Sequence, residues 1–324
     1  MYELYEHSKE LVVNLSQFGD DRPLTSVRYT SDQSFVISGS WANTVKLWSA
    51  TTLAAQGNCK GHSERVNSVA QSAHVLSSQH KYIVASGSAD STALLWDMTQ
   101  MTEGMDSEDS IQDGLLHKLE GHKSAVSCVD FHPHYAAVAT ASHDFSWRLW
   151  DMQTGSQLLL QDGHVKDCTA LSFHVDGSIL VSGDAGGVVL CWDLRSGQMI
   201  QGFAAHGKKI TEINCNSNGF HVATSSVDNT VKIWDLRRKK QHYTLPAHSH
   251  VISGVRYSPS GELLMTCSFD GTLKIWGARD YRILRTLPGH EGKVMSADFA
   301  PDERHLVSAG YDRTIKLWAH KDEF

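Results

Sequence analysis

A tryptophan recurs down this chain at Trp48, Trp96, Trp150, Trp192, Trp234, Trp276 and Trp318, and from Trp150 onward each stands 42 residues after the last. A fixed period of this length constrains the fold more than composition can. Each copy is one supersecondary unit that can bury its apolar faces only against its neighbours. The clearest copy runs from His206 to Asp235. It opens on a His in a small-residue turn and closes on Trp-Asp. Between them lie two alternating apolar runs, parted by turn residues at Ser217-Asn218-Gly219 and Val227-Asp228-Asn229. Alternation with a period of two makes strands.

Three more positions keep step with the Trp. A His stands 28 residues ahead at His122, His164, His206, His248 and His290, while His62 precedes Trp96 by 34 and Asp20 holds the place before Trp48. Ten residues ahead there is always a hydroxyl: Ser38, Ser86, Thr140, Ser182, Thr224, Thr266 and Ser308. Six ahead, Asp occurs at Asp90, Asp144, Asp228, Asp270 and Asp312, with Ala42 and Gly186 in units one and four. Complete sets are therefore His62, Ser86, Asp90, Trp96; His122, Thr140, Asp144, Trp150; His206, Thr224, Asp228, Trp234; His248, Thr266, Asp270, Trp276; and His290, Ser308, Asp312, Trp318.

This pattern resembles the WD-repeat family, whose units begin near Gly-His and end on Trp-Asp. The resemblance implies an all-β, seven-bladed WD40 β-propeller in which each His, hydroxyl, Asp and Trp form a structural tetrad. The His-Asp pairs look like catalytic dyads, but their recurrence in register assigns them to the ring. Units one and four, lacking Asp at the expected place, should have incomplete tetrads and lean on packing.

Seven such units account for nearly all of the 324 residues, so a single ring over residues 11–320 is expected, flanked by tails at 1–10 and 321–324. The first ten residues read as a short helix or a frayed end. The run Leu11 to Phe18 stands where later units place LLHKLE, MIQGFA, QHYTLP and ILRTLP, ahead of their own turns. Since the last unit stops shortly after Trp318, this N-terminal strand is expected to complete the last blade. Closure would remove the exposed edge that an open ring leaves. Two insertions interrupt the period, at 72–82 and 99–114. The second holds five acids and no base and reads as a solvated, mobile loop.

Composition narrows function mainly by exclusion. Net charge is −7, so the chain as a whole is no polyanion binder and any nucleic-acid contact must be local. Six scattered Cys with no Cys-x-x-Cys pair fit reduced thiols in strands, neither a disulfide framework nor a zinc site. No apolar run is long enough to span a membrane, and the opening MYELYE is too polar for a signal peptide, so an intracellular, soluble protein is expected. No nucleophile elbow, Walker loop or dinucleotide motif occurs, and Gly183 to Gly187 lies in a blade turn. No enzyme activity, cofactor, metal or small-molecule substrate is expected.

Candidate contacts sit beside the tetrads. The residue before the Asp position is Trp41, Ala89, His143, Ala185, Val227, Phe269 and Tyr311 by unit. In a closed ring, units six, seven and one are neighbours, so Phe269, Tyr311 and Trp41 should form an aromatic arc of the kind that makes interface hot spots. Basic residues follow the His turns, among them Arg22, Arg65, Lys123, Lys166, Lys208, Lys209 and Lys293, with Arg313 beside Asp312; acids interleave them. Partner binding is assigned to Trp41, Phe269, Tyr311, Arg313, Lys208 and Lys209. The run Arg237-Arg238-Lys239-Lys240, on the opposite face, is a candidate for RNA phosphate or an acidic segment.

Several runs resemble a narrower family, the WD-repeat subunit of the U4/U6 small nuclear ribonucleoprotein. They are GDDRPL at Gly19 to Leu24, SWRLWD at Ser146 to Asp151 with its extra Trp147, GFHVAT, DNTVKIWDLR at Asp228 to Arg237, TLPAH at Thr244 to His248, GHEGKVM at Gly289 to Met295, and YDRTIKLW at Tyr311 to Trp318. The resemblance implies a nuclear, monomeric, non-catalytic scaffold of the U4/U6 and U4/U6·U5 particles in pre-mRNA splicing. Its partners would be other U4/U6 proteins, with U4/U6 RNA met mostly through them. That family also associates with a cyclophilin and carries a region upstream of its ring. Only about 18 residues precede Gly19 here, so the cyclophilin contact is carried over least. Two alternatives stay open. The boxes Trp192-Asp193-Leu194-Arg195 and Trp234-Asp235-Leu236-Arg237 resemble those of substrate receptors of cullin-type ubiquitin ligases. A generic WD-repeat signalling scaffold is the other.

Overall fold

The alternating runs pair into seven four-stranded antiparallel sheets in a computed structural model that describes residues 2–73, 80–103 and 114–321. Blades 1 to 6 span residues 24–60, 66–119, 126–162, 168–204, 210–245 and 252–288. Blade 7 takes three strands from residues 294–320 and its outermost from Leu11–Phe18. Within blades 1 to 6 the strands run outward in chain order. The innermost strands of successive blades pack side by side, and Val294–Phe299 of blade 7 returns to Leu24–Tyr29 of blade 1. The expected all-β, seven-bladed ring is thus the observed one.

Leu11–Phe18 closes it as expected, pairing antiparallel with Thr314–His320 from Leu11↔His320 to Phe18↔Thr314. The Gly19 amide extends the clasp to the Arg313 carbonyl at 2.8 Å. Leu11 drops into the core shared with Leu287 and Trp318. Of the two readings of the first residues, the structure takes the helical one. Tyr2–Lys9 is an eight-residue helix lying against the outer strand of blade 6.

The ladder Trp are the largest repeated burial, at about 150–250 Å² and roughly 4–6 kcal/mol each before entropy. Blade 5 shows how they are held. Trp234 Nε1 donates to Thr224 Oγ1 (3.1 Å), that hydroxyl meets His206 Nε2 (2.9 Å), and His206 Nδ1 donates to Asp228 (2.8 Å). A neutral imidazole has one donor and one acceptor, and this chain uses both. Blades 2, 3, 6 and 7 repeat the His-to-Asp link at 3.0, 2.9, 2.9 and 2.9 Å. Burial pushes the pKa of His122, His206 and His248 down, outweighing the pull of their Asp partners. Burial alone would raise Asp144, but bonds from Ser146, His122 and the Lys123 amide bring it down to about 2.

Of the two units expected to be incomplete, blade 4 is completed from another position, while blade 1 keeps no His–Asp link. In blade 4, Asp184 does what Gly186 cannot. It stands two residues earlier, at the end of the strand Ile179–Asp184, and accepts from His164 Nδ1 at 3.2 Å. Its other oxygen holds the Gly186 and Val188 amides at 2.8 and 2.9 Å. Gly187, at φ +83, lets the turn pass so close to the next blade that a Cβ there would fall 2.1 Å from the His206 carbonyl oxygen. In blade 1, Asp20 replaces the His. It accepts from Thr44 Oγ1 at 2.5 Å and pairs with Lys46 at 3.5 Å, while Trp48 still donates to Ser38.

Each innermost strand carries a bulge near its start, for instance between Leu24 and Ser26 and between Ile210 and Glu212. The extra residue turns its side chain toward the next blade. Thr25, Asn67, Ser127, Thr169 and Ser253 thus bond the carbonyls of Val66, Val126, Cys168, Ile210 and Val294 at 2.6–2.8 Å. These latches, invisible in the tetrad pattern, tie blade to blade around the channel.

Of the insertions, residues 74–79 and 104–113 lie outside the described residues. The start of the second is less free than expected. It forms a 3-10 turn, Gln100–Glu103, with Met101 lodged against Gly57 and Cys59 of the blade 1 outer strand.

Candidate interaction surfaces

The tetrad turns build the top face. In every unit the amide of the residue before the Asp position bonds the carbonyl three residues beyond the His position. Examples are Trp41 to Pro23, Ala89 to Arg65, Val227 to Lys209, Phe269 to Val251 and Tyr311 to Lys293. Each rung sets two side chains at the channel mouth. On blades 6, 7, 1 and 2 they join into one chain. Lys293 Nζ lies 4.7 Å from the Phe269 ring centre and 5.6 Å from that of Tyr311. Tyr311 meets Trp41 edge to face at 5.6 Å and 89°. The Arg65 guanidinium caps Trp41 at 5.5 Å. Tyr311 is 43% exposed, and Phe269 and Trp41 are half-buried. The expected aromatic arc therefore exists, with two cations in it that were not assigned to it: Arg65 and Lys293.

Other assigned residues fall elsewhere. Arg313 leaves the arc: its guanidinium lies over Phe18 of the closing strand (5.5 Å) and bonds the Asp21 carbonyl (3.2 Å), so it fastens the ring closure. Lys208 and Lys209 are exposed on the top of blade 5, and Lys209 lies within electrostatic reach of Arg65, the cation at the end of the arc. Trp147, a departure that marked the narrower family, is fully buried against Trp192 and belongs to the core.

The channel is barred. Glu212 of blade 5 is pinned between Arg28 of blade 1 (2.9 Å) and Arg256 of blade 6 (3.0 Å), and its second oxygen takes the Val255 amide (2.9 Å). A recess of about 80 Å³ above it is lined by Thr25, Asn67 and Ser127; one of about 260 Å³ below is lined by Asn214, Tyr257 and Asp298. Burial raises the pKa of Asp130 and Asp298 despite the two Arg nearby. Among the described residues, no three His, Cys, Asp or Glu side chains converge as metal ligands, and no helix is long and apolar enough to cross a membrane.

On the bottom face, Arg237 to Lys239 lie in the turn before the outer strand of blade 5, which Lys240 opens. Arg237 stacks on Phe220 at 3.8 Å and pairs with Asp235 at 3.1 Å. Beyond it the rings continue: His221 to His242 at 5.1 Å, His242 to Tyr281 at 5.8 Å, and Tyr243 stacked on Tyr281 at 5.0 Å and 15°. The sequence showed the cations but not these rings, which come from two blades. The other Arg of the paired boxes, Arg195, is exposed, and so is Arg237, although Arg237 is engaged by Asp235.

Comparison with known proteins agrees with the ring. A model of the WD domain, G-beta repeat matches residues 10–49, 54–97, 114–151, 155–193, 197–235, 239–277 and 281–319. A small ribosomal subunit protein, RACK1y of Oryza sativa subsp. japonica, is 31% identical over 163 residues, 48% of this chain and 42% of that protein. The U4/U6 small nuclear ribonucleoprotein PRP4 of Saccharomyces cerevisiae is 32% identical over 148 residues, 46% of this chain and 29% of that protein. A guanine nucleotide-binding protein subunit beta of Solanum tuberosum is 30% identical over 175 residues, 51% and 42% respectively. In each case the match spans less than half the relative's length.

Proposed function

The chain belongs to the WD-repeat family, and from that premise we propose that it is a nuclear, non-catalytic scaffold of the U4/U6 and U4/U6·U5 small nuclear ribonucleoproteins, where it docks partner proteins during pre-mRNA splicing. A protein-interaction role is what the family supplies. The observation that carries the docking is the arc Phe269–Lys293–Tyr311–Trp41–Arg65, in which rings and cations alternate across four blades. Aromatic rings and Arg are the groups that dominate binding energy at interfaces, and the alternation suits a partner segment pairing apolar side chains with acids. The particle is supported by the runs beginning at Gly19, Ser146 and Tyr311, and by similarity to the yeast PRP4 protein.

Purifying the protein from nuclear extract and sequencing the RNA that accompanies it tests the reading. U4 and U6 RNA should be enriched, and Trp41→Ala with Tyr311→Ala should lose them while the protein still melts cooperatively. Wild-type protein that brings down no spliceosomal RNA would sink the particle assignment. Recovery of a ubiquitin-ligase adaptor, lost with Arg195→Ala plus Arg237→Ala, would replace it.

A further inference from the structure

The lower outer corner shared by blades 5 and 6 faces away from the arc and takes no part in the tetrads. It offers flat groups in succession: the Phe220 ring with the Arg237 guanidinium over it, the His221 and His242 rings tilted by 32°, and Tyr243 stacked on the buried Tyr281. Phe220 and Tyr243 are 42% and 44% exposed. Arg238, Lys239 and Lys240 border them and are exposed too. The acids nearby are already engaged: Asp235 with Arg237, Glu262 with Arg279 and Asp280 with Arg282. On a chain of net charge −7, this corner is a local excess of cations around accessible ring faces.

We propose that this corner binds a single strand of nucleic acid, with bases stacking on the exposed faces of Phe220, His242 and Tyr243 and phosphates following residues 238 to 240. Stacking rings beside a cationic track are the general means of holding an unpaired strand. A duplex keeps its bases covered and could use only the cations. An acidic peptide would likewise leave the rings idle. Burial, helped by His242 and Arg237, lowers the pKa of His221, so that ring is neutral at physiological pH. The inference rests on this geometry and not on the particle assignment, because a scaffold can recover RNA through its partners alone.

Fluorescence anisotropy with the purified chain separates the cases, using an unstructured RNA of about 12 nucleotides, its DNA counterpart, the duplex and polyglutamate. Single strands should bind at least about tenfold more tightly than duplex or polyglutamate. His242→Ala with Tyr243→Ala should weaken binding by about tenfold without changing its salt dependence. Lys239→Gln with Lys240→Gln should flatten the slope of log K against log salt by about 1.4, since each phosphate contact to a single strand contributes about 0.7. Phe220→Ala serves as a second ring variant, and a cooperative melt confirms each fold. Binding to neither single strand, equal binding of polyglutamate, or indifference to both ring variants overturns the proposal.

Discussion

Tyr311 and Asp312 are neighbours in sequence and belong to different parts of the molecule. Asp312 accepts from His290 Nδ1 (2.9 Å), the Glu291 amide (3.0 Å) and the Thr314 hydroxyl (2.8 Å). Tyr311, 43% exposed, leans its ring on Trp41 under Lys293. A poorly exposed carboxylate must find its donors or cost several kcal/mol, so one residue of the turn is dictated by the ring. The residue before it meets no such demand, which is why that place holds Trp41, Ala89, His143, Ala185, Val227, Phe269 and Tyr311 in turn. The ring is kept by what is repeated, and the arc is written in what is not.

Substitution should separate the two most sharply at blade 7. Trp318 is 1% exposed and donates to Ser308 at 2.9 Å. Trp318→Ala should lower unfolding free energy in urea by about 3–5 kcal/mol, the cost of a large cavity. Tyr311→Ala should cost less than about 1 kcal/mol, as surface changes do. Comparable losses would erase the distinction. Blade 4 gives the next largest effect. Asp184→Ala strands the His164 Nδ1 proton and two amides, and should cost about 1–3 kcal/mol. Gly186→Asp on that background should restore part of the loss, because a carboxylate at the repeat position is what meets the His in blades 2, 3, 5, 6 and 7. A blade 4 indifferent to Asp184→Ala would be held by packing alone.

Those two blades also mark how far the sequence could be read. The ring, its closure by Leu11–Phe18 and the meeting of Trp41 with Tyr311 were all legible, because each follows from the period once the ring closes on itself. Asp184 was not, because a tetrad needs a carboxylate within reach and the period counts only positions. Glu212 reads as an ordinary polar residue in an alternating strand; its pairing with both Arg28 and Arg256 needs three blades at once. Arg65 and Lys293 were visible only as members of a mixed-charge ring, and the rungs that bring them over Trp41 and Phe269 are backbone contacts that no side-chain pattern reports. The contact of Arg313 with Phe18 was not legible either, because it joins the last turn of the chain to its first strand.

Acid should distinguish ring from arc again, more gently. Burial holds His122, His164, His206 and His248 below their ordinary pKa. The unfolded chain, near 6.5, therefore binds protons that the folded one refuses, and stability falls as pH drops through that value. The tetrad Asp act in the same direction lower down. Asp144 lies at about 2 when folded against about 3.9 unfolded, so its contribution is present above the higher value and lost as pH falls toward the lower. Melting temperature should thus fall in two stages, the first beginning just below about pH 7 and the second below about pH 4. A melting temperature unchanged between pH 7 and 5 would mean that the tetrad His titrate alike in both states.

The smallest effect tests the arc against its own edge. Lys293 stands over two rings, Phe269 and Tyr311, and Arg313 over one, Phe18, on the closing strand. A cation over an exposed ring contributes about 0.5–1 kcal/mol. Lys293→Gln should therefore weaken partner binding by about 0.5–1 kcal/mol in a titration and leave urea unfolding nearly untouched. Arg313→Gln should do the reverse. Its ring and its Asp21 contact belong to the clasp, so the small loss should appear in stability and not in affinity. If both variants lower affinity equally, the docking surface runs on past Tyr311 to the ring closure.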